Sequence, residues 1–187
     1  MAFRDAFKEF PIIETERLVL RNLRSEDAEE YYCQLRSAFD SPSRPPWAYG
    51  FELRSVEAVR DSIKFTENAW KKKARIKWGL CLKNGEFVGQ CELYDFANQV
   101  KAEIGYWLGA VHQNQGLMSE AITAVVDYAF GPMGMNRIYA KTATKNTSSI
   151  AMLRKVGFVQ EGILRQDGYR DGLWTDTALM AILSSDL

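Results

Sequence analysis

Gln113-Asn114-Gln115-Gly116-Leu117-Met118-Ser119-Glu120-Ala121 is a short polar loop, with one glycine, that runs straight into an apolar-periodic helix. Directly before it lies a strand-like run, Ala102-Glu103-Ile104-Gly105-Tyr106-Trp107-Leu108. A strand, a Gly-bearing turn and a helix in that order can bind a phosphate group. The N–H groups of a helix's first turn have no intrahelical partner, and the macrodipole adds partial positive charge there. A glycine lets the backbone approach an anion with no Cβ in the way. The stretch therefore predicts a pyrophosphate-bearing ligand on this loop.

Outward from the loop, Leu117 to Phe130 reads as a helix, with Leu117, Ala121, Val125 and Ala129 on one stripe. Arg137 to Thr144 reads as a strand. The strands on either side of the helix should be parallel neighbours joined by a right-handed crossover. Ligands in such sheets sit beyond the carboxyl ends of parallel strands, where this loop lies. Downstream come a helix over Thr147 to Val156 and strands over Phe158 to Gln166 and Trp174 to Leu183, turning at Asp171-Gly172.

Upstream, Ile12 to Leu23 holds the alternating run Arg17-Leu18-Val19-Leu20-Arg21, a strand pattern. Ser25 is placed to cap a helix whose face is Ala28, Tyr31, Leu35 and Phe39. Asp40 to Gly50, with Pro42, Pro45 and Pro46, reads as a loop. Ser55 opens a second helix that ends in Lys71-Lys72-Lys73. Lys77 to Leu82 and Glu86 to Tyr94 are strands joined by Asn84-Gly85, a two-residue hairpin signal, and Lys101 to Leu108 is the next strand. The order is β-α-α-β-β-β-α-β-α-β-β. That is an α/β (α+β) chain with a mixed central sheet, read as one domain over residues 1–187 with no repeat or low-complexity segment.

Composition narrows the function classes. Lys plus Arg equals Asp plus Glu at 24 each, which argues against a nucleic-acid binder driven by bulk charge. Cys33, Cys81 and Cys91 are odd in number with no CxxC spacing, so neither a disulfide framework nor a structural metal site is expected. The first ten residues have no apolar core of a signal peptide, and no run approaches membrane-spanning length. The expectation is a cytoplasmic protein with no membrane partner.

Residues 113–118 resemble the acyl-CoA loop of the GNAT N-acetyltransferases, written Gln/Arg-x-x-Gly-x-Gly/Ala. Asn146-Thr147-Ser148-Ser149 and Lys155-Val156-Gly157-Phe158 look like the Asn-x-x-Ser and Lys-x-Gly-Phe signatures of the RimJ/RimL branch, the ribosomal-protein N-terminal acetyltransferases and their relatives. Thr15-Glu16-Arg17-Leu18-Val19-Leu20-Arg21, Glu103-Ile104-Gly105-Tyr106-Trp107-Leu108 and Glu161-Gly162 resemble the same branch. The likeness spans about Thr15 to Leu183.

The resemblance implies a GNAT fold of about seven strands with helices on both faces, and acetyl-CoA as acetyl donor with no metal. It implies cofactor contacts from Leu108, Gly109 and Ala110 at the strand end, from Gln113, Asn114, Gln115, Gly116, Leu117, Met118 and Ser119 in the loop, and from Asn146 against the pantetheine arm. Asn146 could equally be only a helix cap. Ser149 is implied as the group that hydrogen-bonds the leaving thiolate, or else is an ordinary first-turn residue. Glu103 is the candidate general base, directly or through water, or else an exposed strand carboxylate, and Asp167 is the alternative base. Met118 departs from the small residue of the loop motif, and Leu153 occupies the slot where many of these enzymes carry a tyrosine acid.

His112, the only histidine, reads as a linker residue. Lys71, Lys72, Lys73 and Arg75 read as a helix C-terminal cluster. Trp47 reads as an acceptor-site wall or a core plug. The acceptor implied is a primary amine, with a peptide α-amine favoured. Small amines such as polyamines or antibiotics stay open, as does a non-catalytic acyl-CoA-binding domain. Dimers are frequent in the family.

Overall fold

The computed structural model describes residues 2–39, 55–170 and 172–187. Helix α1 (Ala2–Asp5) leads to β1 (Ile13–Glu14), β2 (Leu18–Asn22), α2 (Ala28–Phe39), α3 (Val56–Lys71), β3 (Arg75–Leu82), β4 (Phe87–Tyr94) and β5 (Lys101–Leu108). Then follow α4 (Leu117–Phe130), β6 (Arg137–Ala143), α5 (Thr147–Val156), β7 (Val159–Arg170) and β8 (Leu173–Leu183). The eight strands form one sheet in the order β1-β2-β3-β4-β5-β6-β8-β7. Among the described residues only β5 and β6 run parallel, and α4 makes the crossover between them.

The sheet has one strand more than expected because Ile12 to Leu23 is not a single strand. The chain reverses after Glu14, with Thr15 N–H donating to Leu18 C=O at 3.0 Å, so Ile13 pairs with Leu20. The entry to α2 also differs. Residues Ser25–Asp27 form a 3₁₀ turn, and Asp27 rather than Ser25 supplies the capping oxygen, accepting from Arg24 N–H at 2.7 Å. Ser55 does cap α3, accepting from Ala58 N–H. The Asn84-Gly85 connection is a three-residue loop. Leu82 N–H donates to Glu86 C=O and Gly85 N–H to Leu82 C=O, and of the two central residues only Gly85 has positive φ, +96°. A type I′ turn needs both positive; one left-handed glycine closes a bulged loop instead. Helix α1 was not expected, although Phe3, Ala6, Phe7 and Phe10 stand at helical spacing. The helix and the turn after it dock through rings, Phe3 on Phe96 at 5.2 Å and Phe7 on Trp70 at 4.6 Å.

Helices cover both faces. Alternation along β5 sends Ala102, Ile104 and Leu108 to the face of α4 and α5, and Trp107 to the face of α2 and α3. Tyr31, Leu35, Val59 and Ile63 close the second face. Trp78, fully buried, keeps its indole N–H satisfied by Pro11 C=O at 2.7 Å. Trp47 and the proline loop lie outside the described residues, as does Asp171 of the last turn.

The feature that creates a site is where pairing stops. Strands β5 and β6 pair only at Lys101↔Arg137, Ala102↔Ile138 and Glu103↔Tyr139. Beyond Glu103, β5 continues paired to β4 as far as Leu108, and β6 to β8 as far as Ala143. The two halves of the sheet part there.

Candidate active site

The parting opens a cleft of about 650 Å³, a size usual for small-molecule sites. It is lined by Glu103 and Leu108 from β5, by Gln113, Asn114, Gly116, Leu117, Met118 and Ser119 from the loop and α4, and by Asn146, Ser149 and Asp167. Most of the residues expected from the sequence thus converge on one space.

Two left-handed residues shape the loop: Asn114 at φ +60° and Gly116 at φ +78°. The first hydrogen bond of α4 runs from Glu120 N–H to Gly116 C=O at 3.1 Å. The amides of Leu117, Met118 and Ser119 therefore precede the helical ladder and face outward as donors. Met118 packs into the core, 8% exposed, so its bulk stays out of the seat. Gln113 braces the loop on the strand end, its Nε2 donating to Leu108 C=O at 3.1 Å. These outward amides and the glycine form a cradle that fits a pyrophosphate.

Three residues implied as cofactor contacts stand outside the lining. Gly109 N–H donates to Val88 C=O at 2.9 Å, and Ala110 N–H to Ser37 Oγ at 3.1 Å, so both amides are already used. A Cβ at Gly109 would lie 1.9 Å from Gln34 Oε1, so glycine here serves the packing of α2. Gln115 donates its side-chain amide to Val111 C=O at 2.8 Å. His112 is buried between Gln34 and Glu86, each at 3.3 Å, and does not line the cleft.

Asn146 is both cap and cleft residue. Its Oδ1 accepts from Ser149 N–H at 3.1 Å and Ser148 Oγ at 3.0 Å, and among the described residues its NH₂ has no partner and can face a ligand. Ser149 Oγ lies 2.7 Å from the Tyr106 hydroxyl. Burial pushes that phenol well above its usual pKa, so it stays protonated. Tyr106 is a site residue that sequence reasoning missed, because it reaches Ser149 from β5 while the usual tyrosine slot, Leu153, is fully buried in the core.

Glu103 sits in a row across three strands, opposite Tyr94 of β4 and Tyr139 of β6. Burial first, and then the charge of Glu103, raise the Tyr94 phenol; burial and a hydrogen bond to Asp95 raise that of Tyr139. Glu103 is thus flanked by two phenols that remain neutral. Beside it Gly105 leaves a notch: a Cβ there would meet Tyr94 at 3.2 Å and Glu92 Oε1 at 3.3 Å. Glu92, a carboxylate not foreseen and not itself lining the cleft, is held by Arg75 at 2.7 Å and Lys77 at 3.7 Å. Asp167 reaches the cleft because β7 bulges between Leu164 and Gly168, where Gln166 N–H donates to Asp176 Oδ1 at 2.8 Å. Among the described residues no group of His, Cys, Asp and Glu is arranged to hold a metal ion.

The comparisons with known proteins agree with this geometry. A family profile described as "Acetyltransferase (GNAT) domain" matches residues 17–159. A Bacillus subtilis (strain 168) protein described as an uncharacterized N-acetyltransferase, YoaA, is 35% identical over 177 residues, covering 93% of this chain and 97% of its own. The ribosomal protein uS5-alanine N-acetyltransferase of Escherichia coli (strain K12) is 28% identical over 192 residues, covering 92% and 90%. Among solved structures, Mycobacterium smegmatis RimJ in complex with CoA-disulfide superposes with a TM-score of 0.81 at 26% identity, covering 91% of this chain and 83% of that one. With the split sheet, the amide cradle and this match over most of its length, the chain belongs to the GNAT acetyltransferase family and is an N-acetyltransferase that uses acetyl-CoA.

Proposed function

We propose that the acceptor is the α-amine of a peptide or protein, that Glu103 takes its proton directly or through water, and that residues 1–187 act as one catalytic domain in the cytoplasm. The observation that carries the acceptor reading is the chemistry of the lining: it offers the carboxylates Glu103 and Asp167 but, among the described residues, no histidine. An α-amine has a pKa of about 7.7–8.0 and a lysine amine about 10.4, so a carboxylate base has far less to do for the former. The uS5-alanine enzyme, similar along nearly the whole chain, is named for an alanine acceptor on a ribosomal protein. Among the described residues no helix is long and apolar enough to cross a membrane, which is compatible with the compartment proposed.

Acetyl-CoA brings the activated acyl group as a thioester. The amides of Leu117 to Ser119 hold its pyrophosphate, the Asn146 NH₂ meets the pantetheine arm, and backbone near Leu108 orients the carbonyl. Ser149 hydrogen-bonds the sulfur as it leaves. Positioning of the two reactants supplies most of the rate.

Thiol release from acetyl-CoA tests the reading. Peptides with a free N-terminus should turn over, and the same peptides N-blocked but carrying lysine should not do so near pH 7. Glu103→Gln should lower kcat by about 10²-fold at neutral pH, with partial recovery as pH rises. Equal activity of Glu103→Gln and wild type across the pH range would remove the base. Turnover of polyamines with none of any peptide N-terminus would move the acceptor to small amines.

A further inference from the structure

We propose that Arg17 is a ligand for the cofactor pyrophosphate and, paired with Glu120, the clamp that presets the 113–119 loop; this rests on reading that loop as the pyrophosphate seat. Arg17 lies between β1 and β2, 98 residues before Gln115. Its Nη1 donates to Gln115 C=O at 2.8 Å, its Nε to Glu120 Oε2 at 2.7 Å and its backbone N–H to Glu120 Oε1 at 2.8 Å. Thr15 Oγ1 donates to the same Oε1 at 2.6 Å. These bonds fix the plane of the guanidinium, whose donors form a rigid fork. The remaining nitrogen, Nη2, donates to no protein atom among the described residues. It stands 3.4 Å from where a Cβ on Gly116 would be, beside the loop though outside the residues that line the cleft. The side chain is 44% exposed, so a ligand can reach it.

Glu120 gives the arrangement its reason. It is an acidic side chain in the first turn of α4, beside the amides that would receive an anion. A bare carboxylate there would repel a pyrophosphate. Thr15 and Arg17 hold it with three donors, and the Arg17 charge cancels its own. Arg17 therefore acts twice in the same direction: it silences a repulsive charge and offers a free cationic edge to the phosphate.

Calorimetric titration of CoA into wild type, Arg17→Ala, Arg17→Lys and the Arg17→Ala/Glu120→Gln double variant, at several salt concentrations, tests this. Arg17→Ala should weaken CoA binding by about tenfold to hundredfold. Arg17→Lys should lose less, and adding Glu120→Gln to Arg17→Ala should restore part of the loss. The weakening of binding with added salt should be shallower in Arg17→Ala than in wild type. Lost affinity with an unchanged salt dependence and no recovery in the double variant would mean a merely structural brace and would overturn the proposal. Wild-type affinity in Arg17→Ala, while Gly116→Val binds CoA poorly, would overturn it and leave the seat standing. Wild-type affinity in both would overturn the seat as well.

Discussion

At the scale of single residues, the proposed chemistry of the leaving group rests on Ser149 and Tyr106. Their oxygens are 2.7 Å apart, and burial keeps the phenol protonated. With the phenol donating to Ser149 Oγ, the serine hydrogen is free to point at the departing sulfur. A thiol has a pKa near 8.5, so thiolate leaves with little help, and the gain from this pair belongs at or below the low end of the roughly 10²–10⁴-fold range for general acids. Ser149→Ala should lower kcat by about tenfold to hundredfold while acetyl-CoA affinity stays near wild type. Tyr106→Phe should cost less, and the double variant should be no worse than Ser149→Ala alone, because the phenol acts through the serine. Single-turnover rates with saturating acetyl-CoA measure all three. Additive losses would show that Tyr106 does not work through Ser149. The place of the serine at the cleft was legible in the sequence through its motif. The tyrosine was not, because only the fold brings β5 alongside α5.

Elements were read best where period and punctuation agreed. The limits expected for β5, α4 and α5 are those found, since each has clear alternation or a clear stripe and a polar loop before it. Misreadings fell where a short reversal or a cap depended on partners remote from the local pattern: the turn at Thr15, the three-residue loop at Gly85 and the entry to α2. The α2 entry makes a prediction about pH. Asp27 is largely desolvated, which opposes ionisation, yet the Arg21 guanidinium at 2.7 and 2.8 Å and Arg24 N–H hold its carboxyl below the usual range. A carboxylate with a depressed folded pKa stabilises the fold above its unfolded value, about 3.9, and loses that contribution as pH falls through the folded value. Asp27→Asn should therefore cost about 1–2 kcal/mol at pH 7, an allowance already reduced for solvent screening. The gap between variant and wild type should narrow below about pH 4. Urea unfolding at pH 7 and pH 3 measures it, and a gap that is constant or widens toward acid would contradict the ion-pair account.

At the scale of the whole molecule, the sheet is two half-sheets joined along a short seam. The parallel relation of β5 and β6 was legible from the crossover rule, but its abrupt end after Glu103 was not, because the one departure from strand sequence near that point, Gly105, can equally mark a bulge or a close backbone approach. What parts the strands is where each finds its other partner, β5 on β4 and β6 on β8, a property of the assembled sheet. Three register pairs and the packing of α4 against β5 and β6 hold the seam. The cleft is lined from both halves, by the loop and β5 on one side and by Asn146, Ser149 and Asp167 on the other, so a ligand filling it would touch both. Binding should therefore stabilise the molecule and tighten the seam in particular. At a free CoA concentration 100 times its Kd the linkage amounts to about 2.7 kcal/mol, which for a domain of this size raises Tm by about 5–10 °C. Hydrogen exchange should slow most at the amides of Leu108, of residues 116–119 and of residues 141–143, with little change in the β2–β3 pairing at the far side of the sheet. Differential scanning calorimetry and amide exchange, with and without CoA, check the two parts separately. A Tm shift accompanied by uniform protection would mean that the ligand stabilises the fold without bridging the seam, and protection confined to the 113–119 loop would mean that it engages only one half.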